Sequence, residues 1–261
     1  ALLMLFINTR PSDRASSLTQ ALTEAGYQVE SLPLLELVAE SFSEALQQLY
    51  QQLEQVQVIV VVSPTAVEIG MRYLQQAGIT LERLAHIQWI AVGKTTAQAL
   101  AKFNIKSDAP EIENSEGMLQ LPILRQHPHL SRIAFWRGQG GRQFMMQQLQ
   151  QRGISILNFV LYHRQCPEIS LKRFPDILSR IQRDQPTMVL ISSEASWNYW
   201  QQLCGQDLIQ AQWVYLVLGE RLVKIMENAA TQAGGAFNII PLENLSASGM
   251  IQRINDWQGN L

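Results

Sequence analysis

The sequence predicts an α/β protein made of two open, parallel-sheet domains. Three observations lead there. Short apolar runs alternate with amphipathic stretches along the 261 residues, as in strand–helix–strand units. Several of those runs are continuous rather than alternating, as in strands covered by helices on both faces. And a three-part pattern occurs twice. The first copy reads Val60-Val61-Val62-Ser63-Pro64-Thr65-Ala66, then Ile90-Ala91-Val92-Gly93-Lys94-Thr95-Thr96, then Pro110 with Asn114-Ser115-Glu116-Gly117-Met118. The second reads Val189-Leu190-Ile191-Ser192-Ser193-Glu194-Ala195, then Leu216-Val217-Leu218-Gly219-Glu220-Arg221, then Pro241 with Ser246-Ala247-Ser248-Gly249-Met250. Each is strand, polar turn, helix, repeated, which gives two similar domains.

The elements follow in order. Leu2–Asn8 is the first strand: six apolar residues, Leu2 to Ile7, are too few to span a bilayer, and no basic or cleavage region marks a signal peptide. Ser12–Ala25 reads as a helix stopped by Gly26, and Tyr27–Leu32 as the next strand. Ser43–Gln55 places Phe42, Leu46, Leu49 and Leu53 on one helical face. Further strands are expected at Val56–Val62, Trp89–Val92, Ile133–Trp136, Ile154–Tyr162, Thr187–Ile191, Trp213–Leu218 and Phe237–Ile240, with helices after most of them. The stretch Met226–Gly234 is a helix ended by Gly234-Gly235. Pro33 to Val38 and Asn158 to Gln165 are extended and flank the first repeat. If both run between domains, the second domain is inserted into the first.

Composition narrows the function. A formal charge of −2 without a basic run argues against nucleic acid as a partner. Cys166 and Cys204 are far apart and read as reduced thiols of a cytoplasmic protein. His86, His127, His129 and His163 have no metal-ligand spacing. Gly138-Gln139-Gly140-Gly141 is not a dinucleotide fingerprint, because Gln143 stands where the third glycine belongs. There is no nucleophile-elbow or phosphate-loop motif. Trp197, Tyr199 and Trp200 lie at helical spacing and suit a core better than a binding platform.

What remains lies in the turns after the strands, where open parallel sheets bind ligands. Ser63 suits a helix N-cap and Pro64 the first helical position; Ser115 and Ser246 look like further caps, and Ser192 and Ser193 occupy the matching place in the second copy. Helix starts expose N–H groups and favour anions. Arg10, Arg137, Arg142 and Arg164 follow strands and can fork onto carboxylates. Such a set suits a polycarboxylate. Each serine also has a purely structural use as a cap, and each arginine as a solvated surface charge.

Several of these residues occur in an order that resembles one known family. Thr9-Arg10-Pro11, Ser63-Pro64-Thr65-Ala66-Val67, Val92-Gly93-Lys94-Thr95-Thr96-Ala97, Ser115-Glu116-Gly117, Arg137-Gly138 and Tyr162 look like the uroporphyrinogen-III synthases, over nearly the whole chain. The resemblance implies two flavodoxin-like α/β domains, the second inserted into the first through a two-stranded β-ladder linker. Its boundaries would be 1–36 with 165–261 for the first domain and 37–164 for the second. It implies a monomeric, cofactor-free and metal-free lyase. The implied substrate is hydroxymethylbilane, which carries eight carboxylates, supplied by porphobilinogen deaminase; neither nucleic acid nor membrane is a partner. Hydroxymethylbilane would close to uroporphyrinogen III, with loss of water and inversion of ring D. Tyr162 matches the tyrosine proposed to help the hydroxyl leave. Substrate-binding candidates are Arg10, Ser63, Pro64, Thr65, Ala66, Gly93, Thr95, Thr96, Ser115, Glu116, Arg137, Gly138, Arg142, Arg164, Ser192, Ser193, Gly219 and Arg221. One turn departs from the family: Gly219-Glu220-Arg221-Leu222 lacks the hydroxyl found in many members, and Glu220 would oppose a polyanion unless Arg221 or Arg10 offsets it. Two other readings share the fold pattern: a tetrapyrrole-binding module without activity, and a two-lobed solute-binding protein.

Overall fold

A computed structural model describes residues 4–127, 129–141, 143–182 and 184–259. The chain runs β1 (Leu5–Asn8), α1 (Ser16–Glu24), β2 (Gln28–Ser31), β3 (Glu36–Ala39), α2 (Glu44–Gln51), β4 (Val58–Val61), α3 (Pro64–Gln76), β5 (Gln88–Ala91), α4 (Lys94–Ala101) and β6 (Ser107–Asp108). It continues α5 (Ser115–Leu119), α6 (Pro122–Gln126), β7 (Arg132–Gly138), α7 (Phe144–Gln151), β8 (Ser155–Gln165), α8 (Glu168–Arg180) and β9 (Thr187–Ile191). The last part is α9 (Glu194–Cys204), α10 (Asp207–Gln210), β10 (Trp213–Leu218), α11 (Glu220–Gln232), β11 (Asn238–Leu242) and α12 (Ala247–Gly259).

Two compact units result: Ala1–Glu36 with Gln165–Leu261, and Leu37–Arg164. The first holds a parallel sheet in the order β11-β10-β9-β1-β2. This is the flavodoxin-like order 2-1-3-4-5. The second holds β3-β8-β7-β4-β5-β6, whose β8-to-β6 ladders are parallel. Matching β7 and β8 to β1 and β2, and β4, β5, β6 to β9, β10, β11, makes the two five-strand orders the same, with β3 an extra edge strand beside β8. The second unit is therefore a circular permutation of the first: its chain enters at the third strand of the shared pattern. The α/β prediction with two parallel sheets holds.

Each sheet is covered on both faces, which explains the continuous apolar runs. In β4, Val58 and Val60 belong to one core cluster and Ile59 and Val61 to another. In the first unit Ile7, Val189 and Ile191 face one cluster, and Phe6, Met188 and Leu190 the other. Trp197 and Trp200 are core residues, as expected. In the second unit α3 seats Gly70 directly on the Trp136 ring; a Cβ at Gly70 would meet Trp136 Cε3 at 2.2 Å.

Several boundaries differ from the sequence reading. Helix α1 starts at Ser16 rather than Ser12, because residues 11–14 form a turn in which Arg14 N–H bonds Pro11 O at 2.9 Å. The helix expected over Ser43–Gln55 ends at Gln51, and Leu53–Gln55 forms a separate 3-10 turn. Helix α11 begins at Glu220, well before Met226. The strands β7 and β8 run on to Gly138 and Gln165, since pairing continues where apolar character stops. Of the expected first strand, Leu2 and Leu3 lie outside the described residues. The flanking extended stretches become β3 and the end of β8, neighbours in one sheet; Gln165 Nε2 donates to Glu36 Oε1 at 2.7 Å, and His163 Nδ1 lies 3.0 Å from Glu40 Oε1. Among the described residues, no helix is long and apolar enough to cross a membrane.

Candidate active site

The turns after the strands are built by caps. Ser63 is the N-cap of α3, its hydroxyl accepting Ala66 N–H at 3.1 Å, with Pro64 in the first helical position. Ser193 caps α9 in the same way, from Ser196 N–H at 3.1 Å. The two caps have nearly the same backbone, φ −160° and −156°. Ser63 therefore matches Ser193, one residue later than the sequence alignment to Ser192; the paired serines hid the register. In the third part of the repeat the cap is Asn114, accepting Gly117 N–H at 2.7 Å, rather than Ser115, which opens α5. Ser246 fills the equivalent place and accepts Gly249 N–H at 3.2 Å, as expected.

In the second unit these turns surround a cavity of about 250 Å³. Its floor is apolar, made by Phe135, Met118, Met145 and Met146 among others, and its polar lining includes Arg137, Tyr162, Arg164 and Glu113. A register shift between Arg137 and Gly138 pairs Arg137 with Val160 but Gly138 with Tyr162. A bulge of this kind re-aims side chains at a strand end. Tyr162, only 3 % exposed, places its hydroxyl 2.7 Å from Ser63 Oγ. Ser63 Oγ accepts from Ala66 N–H and keeps both its own hydrogen and a second lone pair, so either hydroxyl can donate in this pair; with Ser63 as donor the phenol hydrogen serves a third group. Gly138 is the seat of the ring: a Cβ there would lie 2.4 Å from Tyr162 Cε2.

Arg137 is 7 % exposed. Its guanidinium donates to Asn158 Oδ1 at 3.4 Å and to Gly140 O. Gly140 and Gly141 turn the loop with φ of +77° and +78°, in the left-handed region that favours glycine. Among the described residues no carboxylate pairs with this cation, and burial lowers its pKa while the nearby Tyr162 works the other way. A buried, carbonyl-held guanidinium beside an apolar floor has the charge and the donors to take an anion.

The structure also corrects the picture of open helix starts. At α4 the position is already taken: Glu113 Oε1 accepts Lys94 N–H at 3.0 Å, and Gly93 leaves room for that carboxylate. Thr96 is buried, whereas Thr95, Glu116 and Pro64 are exposed and Thr65 is half-buried over the buried Ala66. In the first unit Arg221 pairs with Glu194 at 3.1 Å, linking the starts of α11 and α9, so it does not offset Glu220. Gly219, at φ +89°, precedes α11. The Arg10 N–H is held by Asn8 Oδ1 at 3.2 Å, and Ser192 is half-buried after β9. Arg142 lies outside the described residues. Of the predicted set, the cavity brings together Arg137, Gly138, Tyr162 and Arg164, with Ser63 joined through Tyr162. Sequence reasoning missed Glu113, Asn158 and the methionine floor; no motif marks them, since they act through the folded loops. Among the described residues there is no cluster of His, Cys, Asp and Glu able to hold a metal.

Known proteins share this sequence pattern and fold. The family model for uroporphyrinogen-III synthase HemD matches residues 16–234. The chain belongs to the uroporphyrinogen-III synthase family. A relative from Proteus mirabilis, named uroporphyrinogen-III synthase, is 29 % identical over 163 residues, 62 % of this chain and 80 % of that protein. Among solved structures, a mutant uroporphyrinogen III synthase from the extremely thermophilic bacterium Thermus thermophilus shares the fold over 100 % of both chains, with TM-score 0.65 and 16 % identity. The uroporphyrinogen-III synthetase of Helicobacter pylori does so over 98 % of this chain and 100 % of its own, with TM-score 0.56 and 11 % identity.

Proposed function

We propose that the chain is an active uroporphyrinogen-III synthase: it converts hydroxymethylbilane to uroporphyrinogen III and water, with ring D inverted. The observation that carries this is the Tyr162–Ser63 hydroxyl pair at 2.7 Å, lining and backing a cavity that also holds the buried Arg137.

Tyr162 donates its proton to the departing hydroxyl of ring A, which leaves as water. The phenolate that develops is stabilised by the Ser63 hydroxyl and by the start of α3, whose dipole favours negative charge. Loss of the hydroxyl as water leaves an electrophilic azafulvenium cation. The substituted carbon of ring D attacks it, the resulting spiro intermediate fragments to a second azafulvenium cation, and ring D recloses inverted through its other α carbon, whose proton is released and restores the phenol of Tyr162. The reacting carbons belong to the substrate, so the chain supplies orientation and acid assistance rather than a nucleophile. Arg137 and the other arginines hold carboxylates and fix the pose.

The test is to mix the protein with preformed hydroxymethylbilane and follow the linear substrate under conditions where spontaneous closure is slow. Rapid, protein-dependent consumption is expected. Tight binding with no acceleration would make the chain a tetrapyrrole-binding module instead.

A further inference from the structure

The buried guanidinium of Arg137 is held by uncharged groups. In the parallel β7–β8 ladder Phe135 pairs with Asn158 and Arg137 with Val160. Residues two apart on a strand share a face, so Asn158 lies diagonally beside Arg137, on the face that carries Phe135. Its amide oxygen accepts Arg137 Nη1 at 3.4 Å, and Gly140 O accepts Nη2. A guanidinium has five N–H donors. Among the described residues, these bonds take one hydrogen from each terminal nitrogen. That leaves Nε–H and a second hydrogen on each terminal nitrogen for a ligand. A carboxylate in place of the Asn158 amide would bind the guanidinium more strongly, but would occupy its fork and cancel its charge. The amide supplies the same acceptor atom without the charge.

We propose that Asn158 is a positioning residue: with the Gly140 carbonyl it fixes the Arg137 guanidinium at the cavity wall and keeps its charge for one substrate carboxylate. The proposal rests on the synthase reading for the identity of the substrate. A buried cation without a charged partner is unfavourable for folding. Here binding completes the ion pair that folding leaves open. The same arrangement sets selectivity. A carboxylate completes the pair, whereas a carboxamide of the same shape leaves the cation uncompensated, so the place discriminates by charge.

The experiment compares the full chain with Asn158→Asp and Asn158→Ala. Asn158 is exposed, so both variants should fold. Asn158→Asp gives Arg137 a charged partner, so the melting temperature should hold or rise. That partner competes with the substrate carboxylate, so KM for hydroxymethylbilane should rise about tenfold or more at nearly unchanged kcat. Asn158→Ala removes only the aiming bond and should raise KM about two- to tenfold. A merely structural asparagine would instead give lower melting and unchanged KM in both variants. That result, or an unchanged KM in Asn158→Asp alone, would overturn the proposal. A second readout needs no turnover. With isotope-labelled arginine, propionate as probe should shift the Arg137 Nε–H signal saturably, and more weakly in Asn158→Asp; propionamide should not. No shift with propionate, or equal shifts with propionamide, would also overturn it. The readouts separate the two claims. Propionate shifts that weaken in Asn158→Asp, without any turnover, would sink the synthase reading and keep the positioning role. Turnover in which neither substitution changes KM would do the reverse.

Discussion

Gly138→Ala tests how the tyrosine is positioned. The new Cβ would lie 2.4 Å from Cε2, 2.7 Å from Cζ and 2.9 Å from Cδ2 of Tyr162. Ordinary carbon contact begins near about 3.5 Å, so the ring must recede by about 1 Å. The neighbouring backbone resists, because Gln139 N–H is bonded to Tyr162 O at 2.7 Å. Overpacking of this kind costs about 1–3 kcal/mol, and stretching the bond to Ser63 adds about 0.5–1.5 kcal/mol. Melting should fall by roughly 3–18 °C, and kcat by roughly a hundredfold, the expected cost of a 1 Å misplacement. The decisive assay is a double-mutant cycle with Tyr162→Phe. Phenylalanine keeps all three clashing ring atoms but has no hydroxyl. In the Phe background Gly138→Ala should still lower the melting temperature, yet should change kcat little further. An equal kcat loss in both backgrounds, or wild-type turnover in Gly138→Ala, would refute the positioning argument.

Three further outcomes follow from the same geometry. Arg137→Met replaces a buried cation by an apolar chain of similar length, so thermal stability should hold or rise, while KM should increase about 10- to 100-fold through loss of a charged hydrogen bond; a lower melting temperature with unchanged KM would contradict this. Ser63→Ala and Ser193→Ala should each lose about 1 kcal/mol of stability in denaturant titrations, the usual value of an N-cap, and Ser63→Ala should in addition lower kcat because Tyr162 loses its partner. Finally, burial pushes the thiol of Cys204 far up, and burial with the nearby Glu36 raises that of Cys166 less completely. A thiol reagent at pH 8 should therefore label Cys166 slowly in the native chain and reach Cys204 only on unfolding; rapid labelling of both would show that the α9 core is open.

The central strands and the repeat were legible because burial on both faces leaves an uninterrupted apolar signature. Val58–Val61, Thr187–Ile191 and Trp213–Leu218 show it plainly. Single residues with a capping duty were legible too: Ser63, Pro64 and Ser246 stand where their chemistry requires. The permutation was not, because strand order is set by long-range pairing that no local pattern encodes. β6 escaped because two residues, Ser107 and Asp108, carry no periodicity. The register of the second repeat slipped because Ser192 and Ser193 are interchangeable as candidate caps until the end of β9 is known. Glu113 was invisible for a different reason: its partner, Lys94 N–H, is a backbone group 19 residues away.

The most direct test of the account is the isomer formed in a coupled assay. Porphobilinogen deaminase supplies hydroxymethylbilane from porphobilinogen, and the oxidised products are separated by isomer. The account predicts mostly type III product, dependent on this chain and sharply reduced by Tyr162→Phe. Type I product alone, the result of unassisted closure, would contradict it.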